Sequence, residues 1–213
     1  MVPAYLDCNA TTPVEPAVLD AMLFYCREEY GNAGSRTHRH GSAPARALRT
    51  AREQIAAVVD ASWEEVIFTS GATESNNIAI LGLADSAAAQ GRRHIISTQI
   101  EHKAVLEPVE VLRHRGFDIT LLSVDSRGRI DPAELEQALR PETVLVSVMH
   151  VNNETGTVQP IEDIANLLAG HPATLHTDAA QSFGKELETL PHPRIDLISI
   201  SGTRSTRPRA SAH

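Results

Sequence analysis

Residues 69–76, with the sequence TSGATESN, join a predicted strand to a predicted helix. Free backbone N–H groups and the helix dipole favour an anion at such a position, and the neighbouring hydroxyl groups add further donors. The segment matches neither a P-loop nor a GxGxxG turn. A simple N-cap formed by Ser70 or Thr73 is the alternative to a phosphate site.

Histidine and asparagine follow two further predicted strands. His102, in the sequence EHK, can stack on a flat ligand and transfer a proton near neutral pH, although a surface histidine at a helix start is the alternative. Asn153, in the sequence HVNNETG, can hydrogen-bond a ligand, although asparagine-rich turns also form for structural reasons alone.

An aspartate ends another predicted strand. Asp178 stands among apolar and small residues, so burial is expected, and a buried carboxylate needs a cationic partner. The protonated ring nitrogen of a heterocyclic cofactor would serve, and Gln181 could reach a ring substituent. The alternative is an aspartate that only caps the next turn. A phosphate site, a stacking histidine and a buried aspartate together indicate pyridoxal phosphate.

The composition favours a cytoplasmic enzyme. The chain has 213 residues, 27 acidic and 19 basic, with a net charge of −8. It has no long apolar run, no export signal and only Cys8 and Cys26 as cysteines, which excludes a disulfide framework and fits a reducing compartment. A net acidic chain is a poor candidate for binding the phosphates of nucleic acid. Without an HExxH motif, the histidines at 38, 40, 171, 176 and 192 are expected to be solvated or packed rather than metal ligands.

Short apolar segments alternate with helical ones and predict an α/β fold with a largely parallel sheet. The predicted helices are residues 16–30, 45–59, 73–89, 103–115, 132–139 and 161–168, with a polar loop at 31–41. The predicted strands are residues 66–68, 94–97, 119–124, 144–151, 174–177 and 197–200. In such sheets ligands bind beyond the carboxyl ends of the strands, where the polar clusters fall.

These motifs, in this order, resemble those of the cysteine desulfurases, the class V branch of the fold-type-I pyridoxal-phosphate enzymes. The resemblance covers residues 4–202, and its matching stretches are residues 5–13, 31–41, 68–75, 101–106, 149–154, 178–182 and 199–202. It implies a three-layer α/β/α domain, incomplete here, with residues 1–15 as an arm that contributes to the active-site region and 16–202 as the cofactor-binding large domain. It also implies a homodimer.

The resemblance assigns a role to each candidate residue. Ala72, Thr73 and Ser201 match positions that bind the cofactor phosphate. His102 matches the histidine that stacks on the ring and assists proton transfer. Asp178 matches the partner of the ring nitrogen, Gln181 the donor to the ring hydroxyl, and Asn153 the asparagine near substrate and ring. The implied reaction converts L-cysteine to L-alanine and leaves sulfur as a persulfide on an enzyme thiol. The protein that accepts this sulfur is not identified, and the pathway could be iron–sulfur assembly, tRNA thiolation or DNA phosphorothioation.

Two departures from the family concern its reactive groups. The family's cofactor lysine corresponds to Arg204, whose guanidinium cannot form an imine. Lys103 and Lys185 hold other positions, and neither Cys8 nor Cys26 matches the sulfur-accepting cysteine. The chain is therefore expected to be the N-terminal part of such an enzyme and inactive as it stands, with weak, noncovalent cofactor binding.

The basic segment 203–213 is expected to be a frameshifted form of the family's lysine segment. Deleting one base after the codon for Gly202, in a GC-rich sequence encoding Gly-His-Lys and the residues that follow, reproduces residues 203–213. The alternative is a short protein with a genuine basic tail.

Three other functions stay open. A related class V enzyme, such as a selenocysteine lyase or an aminotransferase, would share the motifs. A hydrolase would use Ser201, His102 and Asp178, although no GxSxG motif supports it. A non-catalytic binding module would need no cofactor.

Overall fold

The computed structural model describes residues 5, 7, 9, 11–35 and 39–202. The segment 203–213, for which the sequence predicts a frameshift, lies outside the described residues, as do Cys8 and His38. The described residues up to Phe68 form one compact unit, and those from Thr69 onward form a second. No helix in the described part of the chain is long and apolar enough to cross a membrane.

The first unit contains two helices and a short 3-10 turn. Helix α1 spans Pro16–Arg27 and begins with proline, whose fixed φ suits the first helical position. Helix α2 spans Arg39–Val58, so the end of the predicted loop 31–41 is helical. The 3-10 turn Trp63–Glu65 is closed by a capping box between Ser62 and Glu65.

The predicted strand at residues 66–68 is wrong. The backbone at Val66 is extended, but no described strand pairs with this segment, and the Ile67 side chain is 71% exposed. Extended backbone becomes a strand only when a neighbour satisfies its N–H and C=O groups, and apolar β-branched composition cannot supply that neighbour.

The second unit is built on a five-stranded sheet in which every pairing is parallel. The strands lie in the order β2-β1-β3-β4-β5. They are β1 (His94–Thr98), β2 (Asp118–Leu122), β3 (Thr143–Ser147), β4 (Thr174–Asp178) and β5 (Leu197–Ser199). The helices of this unit are α3 (Ala72–Ala89), α4 (Lys103–His114), α5 (Pro132–Ala138) and α6 (Ile161–Leu167).

Helices cover both faces of the sheet, and successive strand residues pack against different helices. Ile95 packs in an apolar cluster with Ile80 of α3 and Val105 of α4. The next residue, Ile96, packs in a separate cluster with Leu135 of α5 and Ile164 of α6. Successive residues of a strand point to opposite faces, so the sheet is covered on both sides. The predicted three-layer α/β/α fold is confirmed.

Strand β3 ends earlier than the predicted strand 144–151. Its last residue is Ser147, and Val151 forms only an isolated antiparallel bridge with Val158. The chain turns here because the Asn152 side-chain Oδ1 accepts hydrogen bonds from the backbone N–H groups of Glu154 and Thr155, both at 2.9 Å.

Two buried histidines cross-link the sheet. His94 of β1 hydrogen-bonds Thr143 on one side and Thr120 on the other, at 2.8 and 2.9 Å. His176 of β4 lies 2.8 Å from Ser147 Oγ and 3.0 Å from Ser199 Oγ. His176 is therefore a packed residue of the sheet whose two nitrogens are both occupied by hydroxyl groups.

Candidate cofactor-binding site

The carboxyl ends of the strands meet at one edge of the sheet, and backbone contacts join the loops that follow them. The His150 N–H donates to the Asp178 carbonyl at 3.0 Å, which joins the loop after β3 to the end of β4. The Ala179 N–H donates to the Ser199 carbonyl at 2.8 Å, which joins the loop after β4 to the end of β5. We call this the cofactor edge of the sheet.

Asp178 is the last residue of β4, and its carboxylate is buried. The Asn76 Nδ2 donates to Oδ2 at 2.8 Å, and the Ala180 backbone N–H donates to Oδ1 at 2.9 Å. The second contact is the turn-capping role that the sequence left as an alternative. Both donors are neutral, and no ion pair with Asp178 occurs among the described residues. The site thus holds a buried negative charge that suits a cationic ligand.

Helix α3 begins with Ala72 and Thr73 as its first two residues. Gly71 is the N-cap, and no side chain in the described part of the chain caps the helix. The predicted simple N-cap by Ser70 or Thr73 is therefore absent, and the N–H groups of the first turn keep their capacity to bind an anion. Asn76, one turn later, contacts Asp178, so the start of α3 lies at the cofactor edge.

Glu74 folds back onto the segment that precedes α3. Its Oε2 accepts the Ser70 backbone N–H at 2.5 Å, and this hydrogen bond lowers the pKa of the exposed Glu74 carboxyl. The carboxylate is a local acceptor for the turn.

His102 is the N-cap of α4 and is exposed. Its Nδ1 accepts the Ala104 backbone N–H at 3.1 Å, so the neutral ring carries its proton on Nε2. His102 therefore does have the helix-start position that the sequence left as an alternative. It also orients the ring with a protonated Nε2.

Asn153, Gln181 and Ser201 lie in the loops that follow β3, β4 and β5. Asn153 is half-buried and donates to Glu154 Oε1 at 2.7 Å. Gln181 is 9% exposed, and Ser201 is half-buried two residues after the end of β5. All three therefore stand at the edge where the sequence predicts the site.

Asn76, the last residue of segment 69–76, and Glu101 were not singled out from the sequence as site residues. Asn76 lies on the buried stripe of α3, at helical spacing from Ile80, Ala84 and Ala87. A polar residue on an apolar stripe is the signal that could have identified it. Glu101 was noted only as the neighbour of His102. It is buried, and burial raises its pKa to about 8.

Comparison with known proteins defines the class. The profile of the family described as Aminotransferase class-V matches residues 4–208. The chain belongs to this family.

The relatives make the class more specific. The cysteine desulfurase IscS of Anaeromyxobacter sp. (strain K) is 45% identical over 208 residues, which are 98% of this chain and 51% of that protein. The structure of DndA from Streptomyces lividans has a TM-score of 0.85 at 52% identity and covers 96% of this chain and 57% of that one. The structure of SspA in complex with cysteine has a TM-score of 0.89 at 41% identity, over 97% and 59% of the two chains. The predicted resemblance is confirmed, and the chain spans about half the length of the curated relatives it matches.

The residues at the cofactor edge fit the chemistry of pyridoxal phosphate. The ring nitrogen is cationic when protonated and suits the buried Asp178 carboxylate. The phosphate suits the uncapped first turn of α3. Lys103 and Lys185, the two lysines of the sequence, are both exposed.

Proposed function

We propose that this chain supplies the cofactor-binding half of a pyridoxal-phosphate-dependent cysteine desulfurase. The observation that carries the proposal is the buried Asp178 carboxylate, which has two neutral donors and no described cation, at the edge where α3 begins. The family match and the cysteine bound by the neighbour SspA support the same reaction class.

The residues divide the binding task. Ala72 and Thr73 would hold the phosphate through their backbone N–H groups, together with Ser201. Asp178 would hold the ring nitrogen, and Gln181 would donate to the ring hydroxyl. When bound, the cofactor supplies an electron sink for cleavage of the cysteine C–S bond.

His102 and Asn153 would act on the substrate side. The His102 ring exposes a protonated Nε2, because Nδ1 is engaged with Ala104 N–H, and can move a proton at that atom. Asn153 would lie near substrate and ring. The substrate is L-cysteine, and its sulfur would pass to a thiol of the complete enzyme as a persulfide.

The remaining assignments extend this proposal. Residues 1–15 would form an arm that contributes to the active-site region, and residues 16–202 the cofactor-binding domain. We propose a cytoplasmic homodimer without a nucleic-acid partner, in line with two cysteines and a net charge of −8. The protein that accepts the sulfur is left open.

Titration of the purified chain with pyridoxal phosphate tests the proposal. Asp178→Asn should weaken binding by about 10- to 100-fold, the equivalent of one charge-assisted contact. Asp163→Asn, on an exposed carboxylate of α6, is the matched control and should bind as the unsubstituted chain does. Equal affinity of both variants would remove Asp178 from the site.

Borohydride reduction followed by mass spectrometry tests how the cofactor is held. Because neither Lys103 nor Lys185 holds the family's lysine position, no stoichiometric pyridoxyl adduct is expected on either residue. A stoichiometric adduct would contradict noncovalent binding.

A further inference from the structure

The Glu101 carboxyl group connects the ends of two strands. One oxygen, Oε1, accepts the Thr98 hydroxyl at 2.9 Å and the Met149 backbone N–H at 2.7 Å. Thr98 is the last residue of β1, and Met149 follows the end of β3 by two residues. A single buried oxygen therefore joins β1 to β3 immediately before His102 in the chain.

The other oxygen of Glu101 has a different environment. Oε2 is buried and has no hydrogen-bond partner among the described residues. Burial raises the pKa of this carboxyl to about 8, the nearby Asp178 charge acts in the same direction, and the two donors to Oε1 oppose it. At neutral pH these surroundings favour the uncharged acid, which still accepts both hydrogen bonds through Oε1.

A second contact attaches the same turn to the same loop. The Asn152 Nδ2 donates to the Ile100 carbonyl at 3.0 Å. Ile100 and Glu101 thus both contact the segment after β3. Next along the chain is His102, the N-cap of α4, so the position of its ring follows from the position of this turn.

We propose that Glu101 is a positioning residue that ties the turn carrying His102 to the end of β3 and thereby fixes the imidazole at the cofactor edge. This proposal rests on the proposed function in one respect, namely that the His102 imidazole faces the cofactor. The tie itself is a property of the chain and can be measured without cofactor.

Three variants of the chain test the tie. Glu101→Ala removes the acceptor, Glu101→Gln keeps a neutral side chain with an acceptor oxygen, and Ser97→Ala is the matched control. Ser97 also makes a buried contact from β1 to β3, but its Oγ donates to the Ser147 carbonyl at 3.0 Å and not to Glu101. If Glu101→Ala does not fold, Glu101→Met replaces it, because methionine keeps the side-chain length without a carboxyl acceptor.

The readouts are amide hydrogen exchange at Met149 and Ala104 and the dissociation constant for pyridoxal phosphate. Relative to the amides of the strands, protection of both should fall by about tenfold in Glu101→Ala. The Met149 N–H loses its acceptor directly, and the Ala104 N–H loses protection because its acceptor, His102 Nδ1, is no longer held in place. The dissociation constant should rise by about tenfold. In Glu101→Gln, the protection of both amides and the dissociation constant should return to within about threefold of the values for the unsubstituted chain. In Ser97→Ala, they should stay unchanged.

Two results would overturn the positioning role. One is unchanged protection at Met149 and Ala104 in Glu101→Ala or Glu101→Met. The other is an equal loss in Ser97→Ala, which would indicate general weakening of the β1–β3 pair. Failure of the unsubstituted chain to bind pyridoxal phosphate would contradict the proposed function alone, since the exchange data test the tie independently.

Discussion

Two buried polar centres of the same sheet are satisfied to different degrees. In the interior centre, formed by His176 with Ser147 and Ser199, both ring nitrogens are hydrogen-bonded, at 2.8 and 3.0 Å. The edge centre consists of Glu101, Asn76 and Asp178. There, Glu101 Oε2 and Asn76 Oδ1 are buried without a partner among the described residues.

Under the proposed function, this difference would separate polar groups that serve only the fold from polar groups that also lie at a ligand site. Folded proteins pair nearly all of their buried polar atoms, because an unpaired one costs about 1–3 kcal/mol. The interior centre follows that rule and links β3, β4 and β5. The edge centre leaves two buried polar atoms without a partner among the described residues, at the end of the sheet where α/β proteins bind ligands.

The largest effect is expected at the interior centre. His176→Leu should lower the free energy of unfolding by about 2–4 kcal/mol, because the Ser147 and Ser199 hydroxyls lose their partner inside the sheet. Urea unfolding at pH 7 measures this. The triple variant His176→Leu, Ser147→Ala, Ser199→Ala should recover part of the loss, since all members of the network are then apolar. A change below about 0.5 kcal/mol in the single variant would contradict the structural role of this centre.

The pH dependence should distinguish the two centres by its sign. Burial raises the Glu101 pKa to about 8. The folded chain then binds this proton more tightly than the unfolded chain does. The contribution of Glu101 to the free energy of unfolding is therefore full below the ordinary carboxyl pKa and is lost as pH rises through 8. Unfolding free energies of the chain and of Glu101→Gln at pH 6 and pH 8 should diverge by about 2 kcal/mol, with the unsubstituted chain losing more. A constant difference between the two proteins would show that Glu101 does not titrate in this range.

The interior centre should respond in the opposite direction. Burial lowers the pKa of His176 to about 4, while the nearby Asp178 charge opposes this. The unfolded chain therefore binds the proton more tightly, and stability should fall as pH decreases from about 6.5 towards 4. His176→Leu should remove this contribution. An identical acid dependence in the variant would contradict a neutral His176.

A smaller effect is expected from Asn76, which supports Asp178. Asn76→Ala removes a donor at 2.8 Å and should weaken pyridoxal-phosphate binding by about tenfold. Asn77→Ala is the control, because Asn77 donates to the Thr73 carbonyl on the same helix and not to Asp178. Equal affinities of the two variants would show that Asn76 does not contribute to the site.

The smallest effect on stability is expected at His102. His102→Ala should cost about 1 kcal/mol through the lost N-cap, and His102→Asn should restore it, since asparagine is a good N-cap. The two substitutions separate the cap from the ring. In an enzyme completed with its lysine and thiol, both should lower turnover by about 10²–10⁴, the usual effect of a general acid–base group. Recovery of turnover by asparagine would return His102 to a purely structural role.

Local pattern was sufficient for most of the fold. Proline at the start of α5, together with Asp131 as its N-cap, placed that helix correctly, because both act within one turn. The failure at 66–68 has the opposite cause. Its β-branched and aromatic residues favour extended backbone, but a strand also needs a neighbour, and local sequence does not encode one.

The site shows the same division. Residues 102, 153, 178 and 181 could be placed at one edge because parallel strands end on the same side. The hydrogen bond between Asn76 and Asp178, separated by 102 residues, and that between Glu101 and Met149, separated by 48, could not be predicted. Such contacts depend on strand order and on the depth at which a helix packs.

The amino-acid sequence by itself determined the alternation of helices and strands, the parallel sheet and the residue types at its carboxyl edge, since these follow from periodicity and short motifs. Tertiary structure alone decided which polar atoms are paired. His176 became a satisfied cross-link, and Glu101 became a buried acid with one oxygen that has no partner among the described residues. The reason is that desolvation and hydrogen-bond pairing depend on the atoms around a group, and for these residues those atoms come from distant parts of the chain.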